Sequence, residues 1–186
     1  MTRIVGGAAR GRHLAVPAKG TRPTSDRARE GLFNTLRAHL DVDGAHVLDL
    51  FAGTGAVGLE ALSRGAASVT FVESDRAASD VLRRNIDVVG LPGASVQRRP
   101  AATYLTTAGT DDPFELVFAD PPYAYSDDHV AAFLAALCEP GWLAEEAIVV
   151  VERSARGAEP QWPGCIALVT SRRYGEGVLW YGRRQS

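Results

Sequence analysis

The apolar positions of this chain change between two spacings, which predict strands and helices in alternation. Short continuous apolar runs are typical of strands buried on both faces of a sheet, and they occur at residues 47–50, 68–72, 114–119 and 147–151. Apolar residues three or four positions apart are typical of amphipathic helices, and that spacing occurs at residues 25–40, 57–62, 75–89 and 130–137. The alternation predicts a mainly parallel sheet with helices on both faces.

The two ends of the chain depart from this alternation. Ile4-Val5-Gly6 and Leu14-Ala15-Val16 are short β-prone pieces around Gly11, which predicts a small hairpin that packs on the main domain. Residues 166–169 and 178–181 predict a closing antiparallel pair, and a weaker β-prone piece stands at 94–97. We therefore expect an α/β fold with a seven-stranded, mostly parallel sheet. We expect a basic hairpin and arm at residues 1–22 and one larger domain at 23–186.

A glycine-rich turn joins the first long strand to the helix that follows it, within residues 47–62. A strand, a glycine turn and a helix N-terminus form a nucleotide pocket, because free backbone N–H groups and the positive helix end face outward there. Gly53, Gly55 and Gly58 match G-x-G-x-x-G, so a dinucleotide-binding fold is one interpretation. Asp49, near the strand end, favours a partner that carries an amino group.

A second motif, Asp120-Pro121-Pro122-Tyr123, follows the predicted strand at 114–119. An exocyclic base amine is a poor nucleophile because its lone pair is delocalised into the ring. Asp120 and the Pro121 carbonyl can each accept one amine hydrogen, which favours a pyramidal nitrogen. Pro122 stiffens the loop, and Tyr123 offers a flat face on which a base can stack. The same residues also suit an ordinary turn after a strand, so the chemistry depends on their place in the fold.

Glu73 ends the predicted strand at 68–72, 20 residues after Gly53, where a carboxylate can accept both ribose hydroxyls. Taken together, Glu73, the glycine turn and Asp120-Pro121-Pro122-Tyr123 resemble the motifs of a Rossmann-like class I methyltransferase. That resemblance implies S-adenosylmethionine as cofactor and an exocyclic amine as acceptor. The order and separation of the two motifs make it far more specific than the glycines alone.

Charge is distributed unevenly along the chain. The net charge of the 186 residues is −2, but the first 30 residues carry +5 and the remainder −7. A basic segment on an acidic body suggests contact with a polyanion, although a solvated basic segment would give the same count. The candidate RNA-binding residues are Arg3, Arg10, Arg12, Lys19, Arg22, Arg27 and Arg29.

Several classes of protein are disfavoured by composition. No apolar run approaches the roughly 18 residues of a membrane span, and the N-terminus lacks the apolar core of a signal peptide. Cys138 and Cys165 suggest two buried thiols rather than a disulfide framework, and neither they nor the histidines have metal-ligand spacing. We expect a cytoplasmic protein that holds no metal and acts as a single chain. Asn85 lies on an apolar helix stripe, which predicts a structural hydrogen-bonding role.

The chain resembles the small-subunit rRNA methyltransferase D family over nearly its whole length. The resemblance is carried by residues 3–7, Gly11-Arg12, residues 22–34, residues 48–55, Arg84-Asn85-Ile86, residues 120–123 and Tyr174-Gly175-Glu176. It implies N2 methylation of one guanine in 16S rRNA, on a partly assembled small ribosomal subunit. Composition and periodicity alone indicate only a nucleotide-binding fold with a basic arm.

The resemblance also implies roles for individual residues. The segment from Thr24 to Asn34 would close over the cofactor, Asp49 and the glycine turn would hold its methionine part, and Glu73 its ribose. Pro100 stands where related enzymes often have Asp or Asn, which leaves the cofactor adenine to the Ala101 backbone N–H. The full candidate cofactor-binding set is Thr24, Asp49, Phe51, Gly53, Gly55, Glu73, Ser74, Ala101 and Asp120.

Two other functions remain open at this level. A DNA amino-methyltransferase uses the same Asp-Pro-Pro-Tyr chemistry, but such enzymes usually carry a sizeable recognition domain, for which 186 residues leave little room. A non-catalytic RNA-binding module is the alternative from another class. The presence of Asp49, Glu73 and Asp120 together argues against it.

Overall fold

A computed structural model describes residues 2–17, 24–107 and 109–186. Across these residues the chain forms nine strands and five helices. The strands are β1 (Thr2–Arg3), β2 (His13–Leu14), β3 (His46–Leu50), β4 (Ser68–Val72), β5 (Ala94–Gln97), β6 (Phe114–Ala119), β7 (Leu143–Ser154), β8 (Ile166–Tyr174) and β9 (Gly177–Arg184). The helices are α1 (Asp26–Leu36), α2 (Ala56–Ser63), α3 (Arg76–Val89), α4 (Ala101–Leu105) and α5 (Asp127–Leu137).

The main sheet has the order β5-β4-β3-β6-β7-β9-β8, and within the described chain it contains seven strands. β3 to β7 are parallel, while β9 runs antiparallel to both β7 and β8. From β3 the chain adds β4 and β5 on one side of the sheet, and then β6 and β7 on the other side. The order of the strands therefore reverses between β3 and β6, which are hydrogen-bonded neighbours. Ligands of open parallel sheets bind outside the carboxyl ends of the strands at such a reversal. The predicted fold class is confirmed, and the topology places a binding site beyond β3 and β6.

Apolar residues cover both faces of the sheet. One core contains Leu32 of α1, Leu59 of α2 and Leu82 of α3. The other contains Leu105 of α4 and Leu134 of α5. Side chains of a strand alternate between faces, so consecutive residues of β3 supply opposite cores. The prediction of helices on both faces is confirmed.

Capping side chains mark where three of the helices, α1, α3 and α5, begin. The Ser25 hydroxyl accepts a hydrogen bond from the Ala28 N–H, which starts α1 at Asp26. The Asp75 carboxylate does the same for Ala78, which starts α3 at Arg76. α1 ends at Leu36, earlier than the predicted residue 40, because residues 37–39 continue only as a turn.

The N-terminal hairpin is shorter than predicted, and its first strand lies at Thr2–Arg3 instead of residues 4–6. Thr2 pairs with Leu14, and Arg3 pairs with His13. It packs on the main domain, since Ile4 and Leu14 belong to the same core as α1, α2 and α3. Polar contacts add to this packing, because the buried Glu60 of α2 accepts hydrogen bonds from the Val5 and Gly6 N–H groups, both at 2.8 Å. The predicted boundary between residues 22 and 23 lies outside the described residues.

Cys138 and Cys165 are joined as a disulfide, with their Cα atoms 6.2 Å apart. The prediction of two separate buried thiols is therefore wrong for this structure. No local pattern indicates the pairing, because 27 positions separate the two cysteines along the chain. No helix in the described part of the chain is both long and apolar enough to cross a membrane.

Candidate active site

The glycine turn and the Asp-Pro-Pro-Tyr motif lie side by side. Leu50 of β3 pairs with Ala119 of β6, so the next residues, Phe51 and Asp120, leave the sheet at the same edge. The Asp120 backbone nitrogen is 3.5 Å from the Leu50 carbonyl oxygen. The two predicted motifs thus flank one space beyond the carboxyl ends of neighbouring strands.

The turn after β3 has an unusual backbone. Phe51 has φ of +59°, a value uncommon for a residue with a side chain, and its ring contacts Tyr125 at a centroid distance of 5.1 Å. Gly55 has φ of +79° and is the N-cap of α2. A Cβ atom at Gly58 would collide with the Phe71 ring of β4, so a glycine there lets α2 lie close to the sheet. The G-x-G-x-x-G spacing therefore serves turn geometry and close helix packing.

Asp49 lies within β3, one residue before its end, and is 2 % exposed. One carboxylate oxygen accepts a 3.0 Å hydrogen bond from the Gly58 N–H at the start of α2. Burial raises the pKa of Asp49 well above its ordinary value, against the lowering effect of that hydrogen bond, and the negative charges of Asp120 and Glu73 add to the rise. The three carboxylates are close enough to influence one another.

Glu73 follows β4 and accepts two backbone hydrogen bonds. Its carboxylate accepts from the Gly53 N–H and from the Asp75 N–H, both at 2.7 Å. These bonds fix the carboxylate between the glycine turn and the start of α3. Each oxygen keeps acceptor capacity, since a carboxylate offers about four lone-pair directions.

Asp120 and Glu152 form a second acidic pair. Burial raises the pKa of Asp120 to about 8; the Glu152 charge adds to the rise and Arg153 opposes it. Burial also raises the pKa of Glu152, while the hydroxyl of Thr24 donates a 3.3 Å hydrogen bond that lowers it. No ion pair to Asp49, Glu73, Asp120 or Glu152 is found in the described ranges. Four carboxylates without an ion-pair partner, at the carboxyl ends of neighbouring strands, suit a ligand that carries positive charge and N–H donors.

The loop after Asp120 combines an anchored part with an exposed part. The Pro122 carbonyl accepts a 2.8 Å hydrogen bond from the Tyr125 N–H. Arg153 donates to the Tyr125 carbonyl at 2.9 Å and pairs with Asp127 at 3.0 Å. Tyr123 is 80 % exposed, so its ring is free to contact a large ligand.

Two further predicted cofactor residues lie on the β4 and β5 side of the site. Ser74 is exposed directly after Glu73. Ala101 is buried at the first position of α4, with Pro100 as the N-cap. The first N–H groups of a helix have no hydrogen-bond partner within the helix, so the position of Ala101 allows its N–H to donate to a ligand.

Arg29 requires a correction, because the RNA-binding role predicted for it is contradicted by its burial. Its side chain is 0 % exposed and donates hydrogen bonds to the Thr24 carbonyl at 2.9 Å and the Arg3 carbonyl at 2.5 Å. It also pairs with Asp26 at 2.7 Å and lies 4.0 Å from Glu60. The charge pattern could not distinguish a buried arginine from a surface one.

The other predicted RNA-binding residues fall into three groups. Arg3, Arg10 and Arg27 are exposed. Arg12 is also exposed, but its guanidinium donates to the Val88 and Val89 carbonyls at the end of α3 and is thus engaged in capping. Lys19 and Arg22 lie outside the described residues.

Sequence reasoning missed Glu152 and Glu60. Glu152 directly follows the apolar run at 147–151, and this is the signal that resembles that of Asp120, although β7 itself continues to Ser154. The structural role predicted for Asn85 is confirmed: its side-chain oxygen accepts from the Ala15 N–H at 2.8 Å, and its amide donates to the Thr54 carbonyl at 2.9 Å. Asn85 therefore ties the N-terminal segment to the glycine turn.

Comparison with known proteins agrees with this geometry. A family model described as "Conserved hypothetical protein 95" matches residues 2–183. The chain belongs to this family. Ribosomal RNA small subunit methyltransferase D of Escherichia coli K12 is 45 % identical over 162 residues, which cover 87 % of this chain and 79 % of that protein. The Haemophilus influenzae protein of the same name is 38 % identical over 153 residues, covering 81 % and 77 %.

Solved structures of similar proteins have the same fold. An Escherichia coli structure assigned provisionally as a methyltransferase has a TM-score of 0.88 and 38 % identity, covering 99 % of this chain and 98 % of that one. A hypothetical protein from Thermus thermophilus has a TM-score of 0.81 and 36 % identity, covering 97 % and 98 %. The class I methyltransferase fold expected from the two motifs is therefore confirmed.

No group of three or more His, Cys, Asp or Glu side chains with the geometry of a metal site occurs in the parts of the chain that the structure describes.

Proposed function

We propose that this protein transfers a methyl group from S-adenosylmethionine to the exocyclic N2 of one guanine in 16S rRNA. Membership of a family with rRNA methyltransferases supports an S-adenosylmethionine-dependent enzyme that acts on rRNA. The observation that carries the proposal is the juxtaposition of Asp120 with the glycine turn at the sheet's topological reversal. That arrangement would place a methyl donor and a base side by side at one edge of the sheet.

The residues present fit S-adenosylmethionine. Its methionine part carries an ammonium group and a sulfonium, which suit the carboxylates that surround the cavity. Asp49, held by Gly58, would lie near the ammonium group, and Glu73 would accept the ribose hydroxyls with its remaining lone pairs. Gly53, Gly55, Phe51 and Ser74 would line the turn. The Ala101 N–H would meet the adenine ring, and Thr24 would close the cavity from α1.

Asp120 would orient the acceptor. When bound, the cofactor supplies an electrophilic methyl group, so the protein needs no further activation of the donor. The Asp120 carboxylate and the Pro121 carbonyl would each accept one amine hydrogen, which directs the nitrogen lone pair toward the methyl group. Asp120 would then take the proton that the methylated amine loses. Pro122 would limit movement of the loop, and Tyr123 would stack on the base.

The RNA backbone would approach along the outer face of α1. Arg10 lines a cavity of about 820 Å³ and an adjoining groove of about 330 Å³, and the groove is also lined by Arg3 and Arg27. These guanidiniums suit phosphate, although acidic residues such as Glu30 lie among them. The N-terminal segment, residues 1–22, would act as an RNA-binding arm on the methyltransferase domain. We propose that one chain acts on a partly assembled small subunit in the cytoplasm.

The experiment is methylation by the purified protein with labelled S-adenosylmethionine. Small subunits from cells that lack the gene and naked 16S rRNA are the two RNA substrates, and duplex DNA of matched length is the control. Mass mapping of the product should show one N2-methylguanine. Methylation of adenine or cytosine in the DNA would instead support a DNA amino-methyltransferase. Cofactor binding without transfer would leave an RNA-binding module.

A further inference from the structure

Glu152 is a half-buried carboxylate next to Asp120 with no role in the steps above. Ala119 of β6 pairs with Val151 of β7, so Asp120 and Glu152 are the next positions on two neighbouring parallel strands. Both strands deliver a carboxylate to the same edge of the sheet. The negative charge of Glu152 adds to the rise in the pKa of Asp120, in agreement with this placement.

Two contacts hold the Glu152 side chain. One oxygen accepts the 3.3 Å hydrogen bond from the Thr24 hydroxyl, directly before α1. The other lies beside Gly177 of β9, where a Cβ atom would be only 2.8 Å from it. A glycine at 177 therefore leaves room for the carboxylate in this position. The Thr24 hydroxyl thus holds one carboxylate oxygen, and the missing side chain at Gly177 leaves space for the other.

No cation neutralises Glu152 within the described residues. The adjacent Arg153 is directed to Asp127 and to the Tyr125 carbonyl. The Thr24 hydroxyl satisfies only one of the lone-pair directions of the carboxylate. Because a half-buried carboxylate without a cation has lost part of its hydration, a bound ligand with N–H donors would stabilise it.

The Watson–Crick edge of guanine provides such donors. Guanine carries N1–H and the exocyclic N2 amine side by side, whereas adenine and cytosine have an unprotonated acceptor nitrogen next to the amine. Uracil has one N–H between two carbonyl oxygens. Two adjacent carboxylates would therefore accept from guanine and repel the ring nitrogen of adenine or cytosine.

We propose that Glu152 is a specificity-determining residue that accepts a hydrogen bond from the guanine N1–H while Asp120 accepts one from N2. This inference rests on the proposed guanine-N2 methylation. Recognition of the base and orientation of its amine would then be performed by neighbouring strands of one rigid sheet.

The test replaces the target guanine with 2-aminopurine in a synthetic substrate RNA. This base keeps the 2-amino group, but its N1 is an unprotonated acceptor. The wild-type enzyme should methylate guanine with a kcat/KM on the order of 100-fold above that for 2-aminopurine, because Glu152 would face a lone pair. In Glu152→Gln the amide can donate to that nitrogen, so the ratio should fall by about tenfold or more.

Glu145→Gln is the matched control, since Glu145 is an exposed glutamate at the other end of β7. It should leave the ratio unchanged. Thermal unfolding and calorimetric binding of S-adenosylmethionine establish that the Gln variant is folded. Should it fail to fold, Glu152→Ala takes its place, because loss of the N1–H acceptor predicts the same fall in the ratio.

Two outcomes would overturn the inference. They are a wild-type enzyme that methylates 2-aminopurine as well as guanine, and a variant that keeps the wild-type ratio, including one that loses both activities equally. In each of these cases the wild-type enzyme still methylates guanine, so the proposed function stands. Failure of the proposed function is a separate result, in which the wild-type enzyme methylates no guanine at all.

Discussion

The backbone nitrogen of Asp120 lies 3.5 Å from the carbonyl oxygen of Leu50. This approach places the residue after β6 beside the last residue of β3, although 70 positions separate them in the chain. The methyl donor proposed for the turn after β3 and the base proposed for the loop after β6 would therefore meet without any domain movement. Pre-organised geometry of this kind is a large part of what an enzyme contributes to group transfer.

Asp120→Ala should retain the fold and RNA affinity but lose methyl transfer by about 10²- to 10³-fold in kcat. The reason is that the alanine methyl group cannot accept the amine hydrogen. Single-turnover methylation and RNA binding by filter retention measure the two quantities. Unchanged turnover would remove Asp120 from the mechanism.

The unliganded protein should become less stable as the pH rises from about 4 to 8. Burial raises the pKa of Asp120 to about 8, so the folded state binds more protons than the unfolded state across that window. The effect should be on the order of 1–3 kcal/mol in the free energy of unfolding. Asp120→Asn, which cannot titrate, should flatten the profile measured by urea denaturation. A profile identical to that of the wild type would contradict the assignment.

Binding of S-adenosylmethionine should release protons. The pKa of Asp120 is raised to about 8, so this group is partly protonated in the unliganded protein between pH 6 and 8, and burial shifts the pKa of Asp49 in the same direction; a cationic ligand favours the ionised forms of both. Affinity should therefore increase with pH between about 6 and 8. Calorimetry in buffers of different ionisation enthalpy measures the proton count. Proton uptake on binding would contradict this account.

Neutralising Arg3, Arg10 and Arg27 to Gln should weaken RNA binding and reduce its salt dependence. The log–log slope should fall by about one unit for each phosphate that the variant no longer neutralises. Arg83→Gln, at an exposed position of α3, is the control and should leave the slope unchanged. An unaltered slope in the triple variant would show that these residues do not bind the RNA backbone.

Arg29→Met should lower the free energy of unfolding by about 3–5 kcal/mol, because Glu60 and three other acceptors lose a buried partner. Arg27→Met, two positions earlier on the exposed side of α1, should change it by less than about 0.5 kcal/mol. Urea denaturation measures both. Equal effects would contradict the distinction drawn between the two arginines.

Periodicity in the chain was sufficient for the strand and helix order, because each element carries its own apolar pattern and caps. Residues 114–119 and 75–89 were predicted within one position of β6 and α3. The glycine turn and Asp-Pro-Pro-Tyr motif were visible for the same reason, since each is contiguous and its chemistry depends on neighbouring residues.

Only the tertiary structure decided which arginines are buried, which cysteines meet and which carboxylate stands beside Asp120. Arg29 and Arg27 are both arginines at the start of one helix, and only the packing of α1 against Glu60 separates their roles. Glu152 became part of the site through the pairing of β6 with β7. Such features depend on contacts between segments that are distant in the chain. A local pattern of residues does not reveal the free energy of those contacts.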